Sequence, residues 1–167
     1  MERPSLRQRI LDDDGVKLVV LVDDFVGTGG SAITGLRDLH DGIGDIVRTR
    51  DLKVVFATIV AHRSGWEKVQ ALAAELQFGL EAYCCEVLDE TTRLFGPQSK
   101  AFPDPDERQR AREIVRTKGS LLEPKAPLGF GNLERAVVFE RGCPNNSVPV
   151  LWSESASPRW MPLFKRL

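Results

Sequence analysis

The sequence predicts an α/β fold, with a parallel sheet of about four strands, flanking helices and an irregular C-terminal tail. Apolar segments without strict alternation, typical of strands buried on both faces, take turns along the chain with helical segments. The chain has 167 residues, enough for one domain. We therefore expect a single domain over 1–167, with its core at 17–140 and a tail element at 141–167.

Each expected element has its own sequence pattern. Apolar runs predict strands, whereas apolar side chains recurring every three or four residues predict the first two long helices. Asp104 followed by Pro105 is a typical start of a third long helix. The strands are expected at 17–22, 53–61, 80–88 and 135–140, the three helices at 31–47, 64–77 and from 105 to about 118, and a short helix or a frayed tail at 4–11.

Composition and charge exclude several classes of protein. A formal net charge of −1 argues against broad binding to nucleic acid or to an anionic membrane surface. No apolar run approaches the roughly 20 residues that a transmembrane helix needs. Three cysteines, two of them adjacent, cannot form a complete disulfide framework, which predicts a reduced, cytoplasmic protein. No C-x-x-C or H-E-x-x-H spacing is present, so we expect no protein-bound metal site.

One motif points to a phosphate ligand. The segment LVVLVDDFVGTGGSA, residues 18–32, runs from a predicted strand through a glycine-rich turn into a predicted helix. Such a turn presents backbone N–H groups and the positive end of a helix dipole to an anion. We expect Gly27, Thr28, Gly29, Gly30 and Ser31 to form this phosphate-binding turn, with positive φ angles available at Gly29 and Gly30. The P-loop is a poor fit because no lysine follows Gly30.

The stretch V-L-V-D-D-F-V-G-T-G-G-S resembles the signature of the type I phosphoribosyltransferases, in which four apolar residues precede two acids and T-G-G-[ST]. The resemblance implies that residues 27–31 wrap a ribose 5-phosphate. It implies that Asp23 and Asp24 hold the ribose 2- and 3-hydroxyls, one of them assisting charge build-up at the anomeric carbon as the catalytic pair. It also implies Mg²⁺, which would arrive through the ligand's pyrophosphate.

Three further motifs make the resemblance more specific. They are L-G-F-G-N at 128–132, C-P-N-N-S-V-P-V-L-W at 143–152 and W-M-P-L-F-K-R at 160–166. Together with the acidic pair they resemble the phosphoribosyltransferase-like branch linked to prokaryotic conflict systems, including retron-associated antiphage loci. The implied function is binding of phosphoribosyl pyrophosphate or a related 5-phosphoribosyl ligand, with transfer of the phosphoribosyl group in a defence context.

Complete members of the resembled family carry another βα unit and a pyrophosphate loop before this signature, whereas only seventeen residues precede Leu18 here. We therefore expect an N-terminally truncated chain that is inactive alone. We also expect an under-covered sheet edge near the N-terminus, which an upstream segment or a partner chain would pair.

Two alternatives stay open at this point. One is a non-catalytic sensor or partner module that keeps the phosphate turn without turnover. The other is a phosphoacceptor receiver-like domain, because paired acids end a strand there too.

Four other residues are possible contacts at the substrate edge. His62 and Arg63 follow the second predicted strand, where they either contact a base or pyrophosphate or are ordinary surface residues. Asn145 and Asn146 lie in a turn, where their amides either bind a base or brace the loop. A run of arginines on the third long helix, at 108, 112 and 116, favours a solvated helix face over a nucleic-acid surface.

Overall fold

The computed structural model describes residues 5–76, 78–140, 142–156 and 159–164. The chain divides into two compact units, Met1–Val87 and Leu88–Leu167, called here the N-terminal and C-terminal units. The helices are α1 (Leu6–Asp12), α2 (Gly30–Arg50), α3 (Arg63–Glu75) and α4 (Pro105–Leu122), with short 3₁₀ turns at Glu90–Thr92, Phe130–Asn132 and Pro149–Leu151. The strands are β1 (Leu18–Val26), β2 (Lys53–His62), β3 (Leu80–Leu88), β4 (Ser155–Ala156) and β5 (Arg159–Trp160).

The N-terminal unit is built on a three-stranded parallel sheet in the order β1-β2-β3. Val20 of β1 lies opposite Val55 of β2, and this register continues to Val26 opposite Ala61. Since consecutive strands lie side by side in chain order, right-handed crossovers put α2 and α3 on the same face of the sheet. The predicted α/β fold with a parallel sheet is therefore confirmed.

That helix-covered face holds the main apolar core. Leu36 of α2, Val54 of β2 and Val69 of α3 are completely inaccessible to solvent. Alternate residues of the strands supply the sheet's share of the core, as the twofold period of a strand requires. The buried members are Ile10, Val19, Val26, Ala32, Leu36, Ile43, Ile46, Val47, Leu52, Val54, Phe56, Ala61, Trp66, Val69, Leu72, Phe78 and Leu80.

The opposite face of the sheet is exposed, which corrects the expectation that the first strand is buried on both faces. Val20 is 49% exposed, Val22 is 77% exposed, and Ile59 of β2 and Tyr83 of β3 are at least half exposed. Within the described part of the chain, β1 is also an edge strand, because its one neighbour is β2. The expected under-covered edge is therefore present, and its pairing with an upstream segment or a partner chain stays a prediction.

The predicted fourth strand at 135–140 does not form in the described residues. Arg135 makes a single parallel bridge to Ser147, and Phe139 makes a single antiparallel bridge to Gly142. The reason is a contact from another segment, because the Ser147 hydroxyl takes the place of a strand ladder. Its Oγ accepts from the Val137 N–H at 3.0 Å and donates to the Val137 carbonyl at 2.8 Å. The tail, expected to be irregular, contains the antiparallel pair β4–β5.

Several element ends also differ from the expected positions. β1 runs four residues beyond the expected end, so the acidic pair lies inside the strand. His62 caps α3 in place of Ser64, while Gln77, the expected last residue of this helix, lies outside the described residues. Asp104 is the predicted cap of α4, accepting from the Asp106 and Glu107 N–H groups at 3.0 and 2.8 Å. None of the helices formed by described residues is both long enough and apolar enough to cross a membrane.

Candidate phosphate site

The predicted phosphate-binding turn joins the end of β1 to the start of α2. Gly29 is the residue before the helix, and no side chain caps α2 there. The first bond of this helix runs from the Ile33 N–H to the Gly29 carbonyl at 2.9 Å. The N–H groups of Gly30, Ser31 and Ala32 consequently have no acceptor among the described residues. Uncapped N–H groups at a helix N-terminus form an anion-binding geometry.

The two central glycines of the turn have different roles. Gly29 has a φ of 85°, a left-handed conformation that favours glycine, as expected. Gly30 does not have a positive φ, which corrects the expectation for that residue. A Cβ at Gly30 would meet only the Thr28 hydroxyl, at 3.8 Å. Gly29 is therefore the residue whose backbone the turn cannot do without, whereas Gly30 and Ser31 form the exposed rim.

Gly65, in the first turn of α3, holds this turn in place and was not singled out from the sequence. A Cβ built on Gly65 would lie 2.1 Å from the Gly27 carbonyl oxygen and 3.0 Å from the Gly29 nitrogen. The backbones therefore approach so closely that any side chain at residue 65 would displace the phosphate-binding turn. The only sequence signal is a glycine inside a helical pattern, which indicates close packing without naming its partner.

Lys68 is a second residue that the sequence analysis missed. Its Nζ donates to the carbonyl oxygen of Thr28 at 3.3 Å, from the helix turn that follows Gly65. The side chain is exposed, so its ammonium group adds positive charge beside the turn while remaining in contact with solvent. Forty residues separate the two groups, so no local motif could reveal the contact.

The two acidic residues lie on opposite faces of β1. Successive strand residues alternate, and Asp23 is partly buried whereas Asp24 is exposed beside Val22. Burial raises the pKa of Asp23, and the neighbouring Asp24 carboxylate raises it further. The backbone N–H groups of Phe25 and Asp24 act against this by stabilising the ionised form. The carboxyl group of Asp23 is therefore less acidic than an ordinary aspartate carboxyl group.

The substrate-edge candidates of the N-terminal unit have different environments. His62 is buried, and its Nδ1 lies 2.8 Å from the Ser64 hydroxyl and accepts from the Ser64 N–H at 3.3 Å. The imidazole therefore caps α3, a structural role. Arg63, the first residue of α3, is exposed, and its guanidinium group makes no hydrogen bond or ion pair to any described residue. Arg63 is therefore the member of this pair that is available to a ligand.

Asn145 and Asn146 lie in the C-terminal unit. The Asn146 Nδ2 donates to the Phe130 carbonyl at 2.9 Å and the residue is buried, so its amide braces the loop. The Asn145 carbonyl accepts from the Phe130 N–H at 2.8 Å, while its side-chain amide has no hydrogen-bond partner among the described residues. Of the two alternatives for these amides, bracing therefore applies to Asn146, and the Asn145 amide remains available.

Across the described segments, no group of three or more His, Cys, Asp or Glu side chains could hold a metal ion. One or two carboxylates together with ligand phosphates are the usual donors for Mg²⁺. Mg²⁺ that arrives through the pyrophosphate of a ligand stays a prediction, and Asp23 and Asp24, on opposite faces of β1, do not lie side by side as a pair of metal ligands.

Comparison with curated proteins finds no match, and comparison with solved structures finds none either. The family model PRTase-CE matches residues 4–166, nearly the whole chain. This match agrees with the uncapped, glycine-rich turn that follows the acidic pair of β1. The chain therefore belongs to the PRTase-CE family, a family of the phosphoribosyltransferase type.

Proposed function

We propose that the chain binds phosphoribosyl pyrophosphate, or a related 5-phosphoribosyl ligand, at the turn formed by residues 27–31. The observation that carries the proposal is a set of three N–H groups at the start of α2 that have no hydrogen-bond acceptor among the described residues. An anion at this position gains several hydrogen bonds and the favourable end of the α2 dipole. Family membership supports a phosphoribosyl ligand over a generic anion.

The acidic pair is proposed to recognise the ribose. Asp23, partly buried and on the helix-covered face, would accept from the ribose hydroxyls, while Asp24 would act from the exposed face. In a transferase reaction, negative charge beside the anomeric carbon stabilises the oxocarbenium-like transition state. Mg²⁺ bound to the ligand's pyrophosphate would offset the repulsion between that group and these carboxylates.

Transfer of the phosphoribosyl group, in a defence context, is the fuller form of this proposal. A non-catalytic sensor is the alternative to this transferase. A receiver-like domain is less favoured, because it does not explain the uncapped T-G-G-S turn. Release of pyrophosphate distinguishes the transferase from the sensor, because a sensor binds phosphoribosyl pyrophosphate without cleaving pyrophosphate from it. The assay is pyrophosphate detection after incubation with phosphoribosyl pyrophosphate, Mg²⁺ and a panel of bases.

The test of binding is calorimetric titration with phosphoribosyl pyrophosphate and Mg²⁺, on the parent chain and on Gly65→Ala. We expect Gly65→Ala to weaken binding at least tenfold, because its Cβ would displace the Gly27 carbonyl. Gly35→Ala is the matched control, since a Cβ at this α2 position meets nothing within 4 Å. Equal affinities for the two variants, or no binding by the parent chain, would show that the turn is not the ligand site.

A second titration separates the acids from the turn. Asp23→Asn should weaken phosphoribosyl pyrophosphate binding about tenfold and leave inorganic phosphate binding nearly unchanged, because Asp23 precedes the glycines. Asp24→Asn, on the other face of β1, should have a smaller effect on the same ligand. Equal losses for both ligands would contradict this division of roles between the acids and the turn.

A further inference from the structure

The carbonyl group of Thr28 is not used by α2, although it stands where that helix could use it. In an α-helix each N–H donates to the carbonyl four residues earlier, so the Thr28 carbonyl is the regular acceptor for Ala32. The first bond of α2 instead joins the Ile33 N–H to the Gly29 carbonyl at 2.9 Å. The Ala32 N–H therefore lacks the bond that would extend α2 backward by one residue.

A side chain from α3 takes the place of this missing donor. The Nζ of Lys68 donates to the Thr28 carbonyl oxygen at 3.3 Å. A hydrogen bond from an ammonium group is charge-assisted and stronger than one from a neutral N–H. Lys68 therefore competes with the Ala32 N–H for the same acceptor, and in this structure Lys68 holds it.

Gly29 is the residue at which the two arrangements of the turn differ. Its φ of 85° and ψ of −7° are left-handed, whereas an α2 extended backward would need right-handed angles there. Glycine adopts either conformation without a steric penalty. No side chain caps α2 at this position, so nothing in the local sequence selects one of the two. Contacts from other segments must therefore make the selection.

The choice between the two arrangements changes how many donors the turn offers to an anion. With Gly29 left-handed, the N–H groups of Gly30, Ser31 and Ala32 all lack an acceptor among the described residues. If α2 extended backward, the Ala32 N–H would be used inside the helix and two donors would remain. One hydrogen bond contributes about fivefold to an affinity. Occupation of the Thr28 carbonyl therefore matters for anion binding.

We infer that Lys68 is a positioning residue of the phosphate-binding turn. By holding the Thr28 carbonyl it keeps Gly29 left-handed and leaves the Ala32 N–H free for an anion. This role rests on the proposed function for the identity of the ligand, and it adds control of the turn by a side chain of α3. Loss of the Lys68 ammonium group would let α2 extend backward into a form that binds phosphate more weakly.

The first test needs no ligand and measures hydrogen exchange of the Ala32 amide by NMR, on the full chain at one fixed pH. Lys68→Met should slow this exchange about fivefold, because the freed Thr28 carbonyl then accepts from Ala32. Lys68→Arg keeps a charged donor and should exchange like the parent chain. Lys118→Met is the matched control, since Lys118 is an exposed helical lysine whose ammonium group has no hydrogen-bond or ion-pair partner among the described residues. Unchanged exchange in Lys68→Met, or an equal change in Lys118→Met, would overturn the role of Lys68.

The second test is calorimetric titration of the same variants with inorganic phosphate, at low and at high salt. Lys68→Met should weaken binding about fivefold at both salt concentrations, and Lys68→Arg should restore it. Salt screens the attraction between exposed charges, so a difference that disappears at high salt would show that Lys68 acts through its charge alone and would overturn its positioning role. Absence of phosphate binding by the parent chain would count against the proposed function itself, while Ala32 exchange would still decide whether Lys68 holds the turn.

Discussion

The two units of this chain are stabilised by different chemistry. The N-terminal unit buries a continuous apolar core between α2, α3 and one face of its sheet. The C-terminal unit has a much smaller apolar cluster around Phe95, Leu128 and Val148, and among its described residues it also buries the charged side chains of Glu134 and Arg135. Apolar burial is non-directional and tolerant, whereas buried charges require specific partners.

Glu134 is the centre of the charged network. Its carboxylate is 1% exposed and accepts from Arg93 Nε at 2.9 Å and from Arg112 Nε at 2.8 Å. The spacing of the arginines predicted a solvated helix face, but Arg112 instead contacts this buried carboxylate. Glu134 has a φ of 52°, an unfavourable backbone that the two ion pairs help to maintain.

Arg135, the next residue, is completely buried. One of its guanidinium nitrogens donates to the Asp89 carbonyl at 2.7 Å and also to the Thr92 hydroxyl. Nε and Nη2 have no hydrogen-bond partner among the described residues, although Nη2 lies 3.8 Å from the Glu90 carboxylate. This burial lowers the pKa of Arg135 below its ordinary value, while the charge of Glu90 partly opposes the effect. The contrast between the units thus lies in how directional their stabilising interactions are.

The largest expected effect on stability is in the apolar core of the N-terminal unit. Leu36→Ala leaves a cavity at a side chain with no solvent exposure, and we expect a loss of about 3 kcal/mol in the free energy of unfolding. The measurement is urea denaturation, with amide hydrogen exchange to locate the loss in residues 6–87. Leu121→Ala, at a leucine that is 54% exposed, is the control and should change little. Similar losses of unfolding free energy in both variants would mean that burial in the core of the N-terminal unit does not explain the effect of Leu36→Ala.

The next effect should come from the charged network. Glu134→Gln keeps the side-chain shape and removes the charge that neutralises Arg93 and Arg112, so we expect a loss of about 2 kcal/mol. Urea denaturation at low and high salt measures it. Glu113→Gln, which removes an exposed partner of Arg116, should have no measurable effect on stability. If the two variants behave alike, burial is not what makes the Glu134 network strong.

The smallest effect concerns the contact between α1 and α2. Hydrogen bonds from Arg7 hold the pKa of Asp45 well below its usual range. A lowered pKa means that this contribution is present above pH 4 or so and is lost progressively as the pH falls below that value. The protection factors of the α1 amides, which compare the measured exchange rates with those of an unfolded chain at the same pH, should therefore fall in acid. Arg7→Ala should show the low protection factors already at neutral pH, and protection that depends on pH as in the parent chain would contradict the assignment.

Much of the fold follows from local sequence. β3 occupies the predicted residues 80–88, and Asp104 caps α4 as its spacing to Pro105 indicates. The start of α2 follows the glycine-rich turn, and Gly29 has the predicted positive φ. These features depend on interactions within a few residues, such as periodicity, capping and backbone freedom, so they can be recognised without knowing the partner of any long-range contact.

Only the tertiary structure determines the contacts between distant segments of the chain. The approach of Gly65 to Gly27 depends on how α3 meets the end of β1, and no residue near either glycine specifies it. The failure of residues 135–140 to form a strand depends on the Ser147 hydroxyl, ten residues away from Val137. An apolar run in the sequence likewise does not show whether other elements pack on one face of the strand or on both. Val20 and Val22 are apolar, yet they lie on the exposed face of β1. Sequence alone therefore determined most of the elements and the position of the glycine-rich turn. Packing determined which backbone atoms hold that turn, whether residues 135–140 form a strand, and which surfaces stay exposed.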